Sequence, residues 1–355
     1  MRLTAVIEEL VEERGLDKET LNSIICEGML AAYEKKYPNL PLRARHDKKE
    51  DDVAIEVEKT VVSSVQDPDV EISTRKARHI DEKLSAGDKA WIPFDGKIGR
   101  IEILRAKQVI ANQIRKIEAL AVYNEFKEKE GTIVHGVVHK CERGGIAVKL
   151  QDSMGFLPKS LMSSTDKCIV GYPIRALLKE VLSEPRNENQ LILDRASDQF
   201  LYKLFELEIP EVFEKLVEIK KIVRAPGYKS KVVVASNDKN IDPVGTCVGV
   251  GGVRIKPILK ELGGEKIDVL SWDESPEAMI KNSLKPAVVN KVQIKGHKAY
   301  VWVDEDQRSL AIGKMGKNIS LAARLNEIDI DLVQEDKKDE AVADIIDINI
   351  AGLEE

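Results

Sequence analysis

The feature that most constrains this chain is an internal repeat in its second half. The stretch GVGGVRIKPILKELGGEKIDVL begins at Gly249, and GKMGKNISLAARLNEIDIDLV begins 64 positions later, at Gly313. In both copies a Gly-x-x-Gly turn is followed by a pattern typical of a helix and then of a strand. Two strand-like stretches, with a helical stretch before them, precede each copy. The repeat therefore predicts two duplicated modules, each with the order helix, strand, strand, helix, turn, helix, strand.

Each Gly-x-x-Gly turn offers bare backbone to a ligand directly before basic side chains. Glycine lets a phosphate approach backbone N–H groups, and the helix that follows adds the partial positive charge of its first turn. This pattern is typical of KH modules, whose loop clamps about four nucleotides of single-stranded RNA. The predicted RNA-binding residues of the two copies are Gly249, Val250, Gly251, Gly252, Arg254, Lys256, Gly313, Lys314, Met315, Gly316, Lys317, Asn318 and Arg324.

Two other phosphate-binding loops do not fit these turns. A Walker A loop requires GxxxxGK[ST], but Ala311 stands at the first glycine position and Asn318 follows the Gly-Lys pair. A dinucleotide fingerprint requires a third, spaced glycine after G-x-G, but the first turn runs directly from Gly251 to Gly252. The paired turns therefore favour a nucleic-acid backbone as the ligand.

Residues 131–196 predict a small closed β-barrel of the OB type. Turn residues separate five short strand-like stretches, namely GTIVHGVVHKC, GGIAVKL, GFLPKSLM, YPIRALLKEVL and NQLILDR. Phe156, in the third stretch, is a candidate for stacking on an RNA base, although aromatic residues in short strands are usually core residues. Arg195, directly after the last stretch, fits a phosphate contact and an ordinary solvated charge equally well.

The fold class that we predict is multidomain α+β. We predict an N-terminal α/β domain at residues 1–98. Apolar residues recur at helical spacing in LTAVIEELVEERG and in the stretch after Asp17, whereas apolar and polar residues alternate, as in strands, in VAIEVEKTVVSSV, DVEIS and AWIPF. The predicted parts that follow are a long linker helix at 99–130, the OB barrel at 131–196, KH modules at 197–274 and 275–334, and an acidic, flexible tail at 335–355.

Composition limits the classes of function. The net charge is −6, with a mildly basic middle between an acidic front and an acidic tail, so nucleic-acid binding requires the positive charge to lie on one face. The four cysteines are scattered without a CxxC pair, so we expect no disulfide, no zinc site and a reducing cytoplasm. We also expect no signal peptide and no membrane span. The five histidines are unclustered and no nucleophile–base motif is present, which predicts a protein without catalysis, metal or cofactor.

The order of these parts, and several stretches within them, resemble the NusA family of bacterial transcription elongation, termination and antitermination factors. NDKNIDPVGTCVG and LGGEKID resemble the first KH module of that family, SLAIGKMGKNISLAARL resembles the second, and GRIEILRAKQVI resembles the start of the linker helix. Two positions depart from the pattern. Gly251 stands where the family usually carries a basic residue, and Ile146 stands where RNA-binding S1-like barrels often carry an aromatic.

The resemblance implies a function that composition and spacing do not give. It implies an N-terminal domain that binds RNA polymerase at the β-subunit flap near the RNA exit, and S1-like and KH modules that bind nascent single-stranded RNA. It further implies a role in pausing, intrinsic termination and antitermination, together with other antitermination factors. We expect a cytoplasmic monomer that contacts no membrane.

Two other classes of RNA-binding protein also use these modules. A ribonuclease component would need a large catalytic domain, for which residues 1–130 are too short, and the order of its modules would be reversed. A translation factor that uses KH and OB modules on ribosomal RNA would not need the N-terminal domain with its helical spacer.

Overall fold

A computed structural model describes the protein at residues 17–47, 52–151, 153–186 and 189–334. The chain divides into two compact units, residues 1–121 and 122–355. The helix predicted over LTAVIEELVEERG and the acidic tail lie outside the described residues. None of the helices in the described ranges is long and apolar enough to cross a membrane.

The first unit packs helices against a four-stranded sheet. Its elements are α1 (Lys18–Lys36), β1 (Leu42–Asp47), β2 (Asp52–Val62), β3 (Glu71–Ser73), α2 (Thr74–Ala77), β4 (Lys89–Pro93) and most of α3 (Arg100–Phe126). Strand β2 pairs with the other three strands, parallel to β3 and antiparallel to β1 and β4. Asp17 caps α1, because its Oδ1 accepts a hydrogen bond from the Thr20 backbone N–H at 2.8 Å.

The second unit begins with a closed five-stranded barrel. Its strands are β5 (Ile133–Glu142), β6 (Gly145–Leu150), β7 (Ser153–Pro158), β8 (Pro173–Arg186) and β9 (Asn189–Asp194), in the closed order β5-β6-β7-β9-β8. Alternate residues such as Ile146, Val148 and Leu157 fill the interior, together with Phe126 from the end of α3. The OB-type barrel expected from the sequence is therefore confirmed.

Two modules with the same sheet topology follow the barrel, and the first has one additional short helix. The first contains α4 (Asp198–Glu208), α5 (Pro210–Phe213), β10 (Val217–Ala225), β11 (Lys229–Ser236), α6 (Pro243–Val248), α7 (Lys256–Glu261) and β12 (Lys266–Ser271). The second contains α8 (Pro276–Ser283), β13 (Lys291–Lys295), β14 (Lys298–Val303), α9 (Glu305–Ile312), α10 (Lys317–Asn326) and β15 (Asp329–Gln334). In each sheet the central strand pairs antiparallel with the preceding strand and parallel with the last. The predicted tandem of KH folds is confirmed.

The two KH modules share one apolar cluster. Val223, Val233 and Leu270 of the first sheet pack against Leu321 and Leu325 of α10 in the second module. Each fully buried aliphatic side chain of this size contributes about 1.5–3 kcal/mol. Because helices of one module cover the sheet of the other, the two modules are held in a fixed arrangement.

The expectation that no cysteines pair is wrong. Cys141, at the end of β5, and Cys168, in the segment before β8, form a disulfide with Cα atoms 5.9 Å apart. The two residues are 27 positions apart in sequence, and the closure of the barrel brings them together. Cys26 and Cys247 are free thiols.

Candidate nucleic-acid interface

The first glycine of each Gly-x-x-Gly loop is crowded where a side chain would begin. Gly249 has φ 73° and ψ 164°, and Gly313 has φ 70° and ψ 170°. A Cβ at Gly249 would lie 3.0 Å from Arg254 Cγ, and a Cβ at Gly313 would lie 2.6 Å from Asn318 Cβ. In both loops the crowding side chain comes five positions later. The repeat seen in the sequence therefore extends to the packing beneath each loop.

The rest of each loop also has matching backbone geometry. The third position is left-handed in both, with φ 63° at Gly251 and φ 57° at Met315. The fourth position has φ 76° at Gly252 and φ 69° at Gly316. Glycine adopts this conformation without penalty, whereas a non-glycine residue such as Met315 does so at a cost. The first loop is therefore the less strained of the two.

The residue that crowds each first glycine also holds its loop in shape. Arg254 Nη1 donates to the Thr246 carbonyl oxygen at 3.0 Å, and Asn318 Nδ2 donates to the Leu310 carbonyl oxygen at 3.3 Å. Thr246 and Leu310 occupy the same position, three residues before the first glycine. Arg254 is further engaged by Glu211, whose Oε1 accepts from Nη1 at 2.8 Å.

Asn318 is a predicted RNA-binding residue that the fold uses internally. Its side chain is only 3% exposed, and Nδ2 lies within hydrogen-bonding distance of the carbonyl oxygens of Leu284, Leu310 and Ala311. Its Oδ1 accepts from Lys229 Nζ at 3.2 Å. We therefore leave the Asn318 side chain out of the RNA contacts that we propose.

The outer surface of both loops is exposed and basic. Val250 is 96% exposed and Met315 is 81% exposed, so the middle of each loop projects into solvent. Lys256 follows the first loop, and Lys314 and Lys317 line the second. The ammonium groups of these three lysines have no hydrogen-bond or ion-pair partner among the described residues. Unpaired cations beside an exposed backbone turn suit the phosphates of a single strand.

The first module supports the second loop directly. Tyr228 Oη donates to the Lys314 carbonyl oxygen at 3.4 Å, and Lys229 Nζ bridges Asn318 and Asp268, whose Oδ2 is 2.7 Å away. Asp268 also pairs with Lys231 at 2.8 Å, where burial lowers the pKa of the lysine ammonium and the carboxylate opposes that effect. Sequence reasoning missed these contacts, because Tyr228 and Lys229 resemble an ordinary hairpin turn.

Arg324 lies at the junction of the two KH modules. Its side chain is exposed in the last turn of α10, and Nη1 donates to the Arg224 carbonyl oxygen at 3.0 Å. One of its donors is thus used between the modules. Its contact with RNA stays a prediction.

Phe156 lies on the outer face of the barrel. Its neighbours Gly155 and Leu157 are buried, whereas the Phe156 ring is half-buried and rests against a glycine pair. A Cβ at Gly145 would lie 3.0 Å from Phe156 Cζ, so the absence of side chains at 144 and 145 leaves room for the ring. The outward position is compatible with base stacking, which stays a prediction.

Arg195 serves the fold rather than a solvent-exposed site. It is 4% exposed, and all of its N–H groups face acceptors. Nε and Nη2 contact Asp166 Oδ1 at 2.9 and 2.8 Å, and Nη1 contacts Glu261 Oε1 at 2.6 Å. The carbonyl oxygens of Arg175 and Glu261 accept the remaining bonds. Arg195 therefore ties the barrel to the first KH module, and we exclude it from the proposed RNA contacts.

A closed OB barrel followed by two KH modules with matching loops defines a multidomain protein of the class that binds single-stranded RNA. Proteins named transcription termination/antitermination protein NusA resemble it over most of their length. That of Thermus thermophilus is 34% identical over 91% of this chain and 87% of its own, and that of Bacillus subtilis is 33% identical over 92% and 89%. The chain belongs to the NusA family.

Further comparisons agree with this assignment. The relative from Borreliella burgdorferi is 37% identical and aligns over 92% of this chain and 68% of its own length. Family models match in four places. They are the NusA N-terminal domain at residues 2–119, the S1 RNA binding domain at 127–187, the NusA-like first KH domain at 195–272 and the NusA-like second KH domain at 276–340.

Proposed function

We propose that this protein acts in transcription termination and antitermination by holding nascent single-stranded RNA and RNA polymerase together. The observation that carries the RNA contact is the match between the two Gly-x-x-Gly loops, which agree in backbone angles, crowding and supporting hydrogen bonds. Such loops clamp about four nucleotides each. Because the modules are packed together, one strand can occupy both loops in a fixed register.

The polymerase contact is assigned to the N-terminal unit. Support comes from the match of residues 2–119 to the NusA N-terminal domain and from the separate packing of residues 1–121. The polymerase site that we propose is the β-subunit flap near the RNA exit, where a bound factor meets the emerging transcript. We further propose that the protein is a cytoplasmic monomer, has no catalytic activity and works with other antitermination factors.

The RNA clamp is tested by placing negative charge where phosphates should lie. A variant with Val250, Gly251, Lys314 and Met315 all changed to Asp should lose RNA affinity by about 100-fold or more, because it removes a cation and repels the phosphates. Fluorescence anisotropy with labelled single-stranded RNA measures this loss. A matched control, Lys295→Asp/Lys298→Asp, introduces similar negative charge on a hairpin away from the loops and should have a small effect. Unchanged affinity in the quadruple variant would overturn the clamp.

The polymerase contact is tested with separate parts of the chain. Residues 1–130, which include the whole of α3, should retain RNA polymerase in a pull-down with purified core enzyme, whereas residues 122–355, which keep Phe126 in the barrel core, should bind RNA alone. Retention of ribosomes in place of polymerase, or of neither, would contradict this part of the proposal.

A further inference from the structure

A groove of 860 Å³ lies between the barrel and the first KH module. His135 lines it from β5, Lys167, Ile169 and Tyr172 from the segment before β8, and Lys260 from α7. The groove is distinct from the Gly-x-x-Gly loops and does not include Phe156.

Direct contacts between the barrel and the first module fix the two walls of this groove. Ser164 Oγ donates to the Pro226 carbonyl oxygen at 3.1 Å, and Thr165 Oγ1 donates to the Leu262 carbonyl oxygen at 2.9 Å. The buried Arg195 network forms the floor between them. The groove is therefore preformed, which lowers the entropic cost of binding.

The charges along the groove leave two cations available. The carboxylates of Asp166 and Glu261 are held by Arg195, at 2.8 and 2.6 Å. Lys167 and Lys260 are exposed, and their ammonium groups have no partner among the described residues. The two carboxylates are thus paired with the buried Arg195, whereas the ammonium groups of Lys167 and Lys260 are available to a ligand.

An exposed aromatic ring stands beside these lysines. Tyr172, directly before the barrel strand β8, is 58% exposed, and Ile169 in the same segment is also exposed. Neither belongs to the barrel core. An aromatic platform next to cations is the combination that holds a base and its neighbouring phosphates in single-stranded nucleic acid.

Helix α7 follows the first loop and also lines the groove, through Pro257 and Lys260. Helix α7 begins at Lys256, shortly after Gly252, and Lys260 lies one turn further along the same helix. Four residues of helix span about 6 Å, which is close to the distance between successive phosphates of an extended strand. RNA that leaves the first loop along α7 therefore reaches the groove within about one or two nucleotides.

We propose that this groove is a third contact for the same RNA strand, in which Tyr172 stacks on a base and Lys167 and Lys260 bind the flanking phosphates. This inference rests on the proposed function, because it assumes that RNA occupies the first KH loop. It assigns the barrel an RNA contact at its junction with the KH module, away from the face that carries Phe156.

The test compares RNA that is too short to reach the groove with RNA that is long enough. Random-sequence, fluorescein-labelled RNA of about 8 nucleotides fills two loops at about four each, and RNA of about 16 nucleotides extends beyond them. In the full chain, Tyr172→Ala should weaken binding of the longer RNA about tenfold. Lys167→Ala/Lys260→Ala should reduce the salt slope for the longer RNA by about 1.4. Binding of the shorter RNA should not change, and Lys295→Ala, an exposed lysine on β13, serves as the control.

The outcomes separate this inference from the proposed function. If the groove variants bind the longer RNA as the unaltered chain does, while the quadruple Asp variant loses both RNAs, the groove inference is overturned and the clamp stands. If the quadruple Asp variant binds both RNAs as the unaltered chain does, the RNA clamp of the proposed function is itself contradicted. Equal losses for both RNA lengths would also overturn the groove contact. Binding of polyglutamate, a model acidic peptide, is measured with the same variants. If the groove variants lose polyglutamate binding but bind RNA as the unaltered chain does, the groove is assigned to an acidic peptide and the RNA contact is overturned.

Discussion

Arg224 and Glu265 form a bidentate ion pair that is almost completely buried. Arg224 Nε lies 2.9 Å from Glu265 Oε1, Nη2 lies 2.8 Å from Oε2, and the two side chains are 1% and 0% exposed. Arg224 Nη1 also donates to the Ser197 carbonyl oxygen at 2.6 Å. The pair connects β10 with the residue before β12, and Arg224 also reaches the residue before α4, so it joins three elements of the first KH module.

Loss of one partner of this pair should be strongly destabilising. Arg224→Met leaves the Glu265 carboxylate buried without its cation, and we expect the free energy of unfolding to fall by about 3–5 kcal/mol. Urea denaturation followed by circular dichroism measures the change. The double variant Arg224→Met/Glu265→Leu should recover part of the loss, because it removes the unpaired charge as well.

An exposed ion pair provides the matched control. Lys298 and Asp331 lie 3.5 Å apart and are 55% and 52% exposed, so Lys298→Met should cost no more than about 1 kcal/mol. If Arg224→Met costs as little as Lys298→Met, the buried pair does not stabilise the module as we infer.

Gly313 is restricted by its backbone conformation and by steric crowding together. Its φ of 70° and ψ of 170° lie in a region that almost only glycine adopts, where alanine costs about 1–3 kcal/mol of backbone strain, and Gly296, with φ 60°, is a positive-φ glycine for comparison. Only at Gly313 would the added Cβ meet another residue, Asn318, whereas nothing lies within 4 Å at Gly296. We therefore expect Gly313→Ala to cost about 1–3 kcal/mol more than Gly296→Ala. Equal shifts in thermal unfolding would show that the second loop has room to relax.

A cation at Gly251 should strengthen RNA binding. The position has φ 63° and open space around it, and Met315 shows that the equivalent position in the second loop accepts a side chain. Gly251→Lys adds positive charge where we place a phosphate, so the affinity should rise several-fold and the salt slope should steepen by about 0.7. Gly251→Ala carries the same backbone strain without the charge. A salt slope that is the same in both variants would contradict the placement of the phosphate.

Local patterns in the sequence predicted the parts of the fold that depend on local geometry. Gly249 and Gly313 identified both loops, because each has a positive φ and lies close to the side chain five positions later, and both conditions favour glycine. The barrel strands were found because turn residues separate them. Strand β1 was missed, since LRARHD is largely charged. It is held by pairing with β2, where Arg43 and Arg45 contact the buried Glu56 at 2.6 and 3.4 Å.

Long-range partners were the part that the sequence could not supply. Arg195 and Asn318 follow a strand and a basic loop, where polar side chains usually face solvent. Their burial depends on acceptors that the tertiary fold supplies, such as Glu261 for Arg195 and the Leu284 carbonyl for Asn318. The pairing of Cys141 with Cys168 has the same origin, because only the closed barrel brings them together.

The alkylation rates of the two free thiols, Cys26 and Cys247, can be used to detect opening of the first loop. Cys247 is completely buried in α6, and burial raises the pKa of its thiol to about 12, while the half-buried Cys26 has a pKa raised by burial as well. Because the thiolate is the reactive form, iodoacetamide at about pH 8.5 should modify Cys26 first and leave Cys247 unmodified until the protein opens.

RNA should protect Cys247 still further. Cys247 lies two residues before Gly249, so its exposure requires the first loop and α6 to separate from the core, and a ligand that binds only the closed loop opposes that opening. Peptide mass spectrometry of alkylated protein should show slower labelling of Cys247 with saturating single-stranded RNA and no change at Cys26. Labelling of Cys247 at the same rate with and without RNA would mean that the first loop is not part of the bound surface, even if the second loop still clamps its strand.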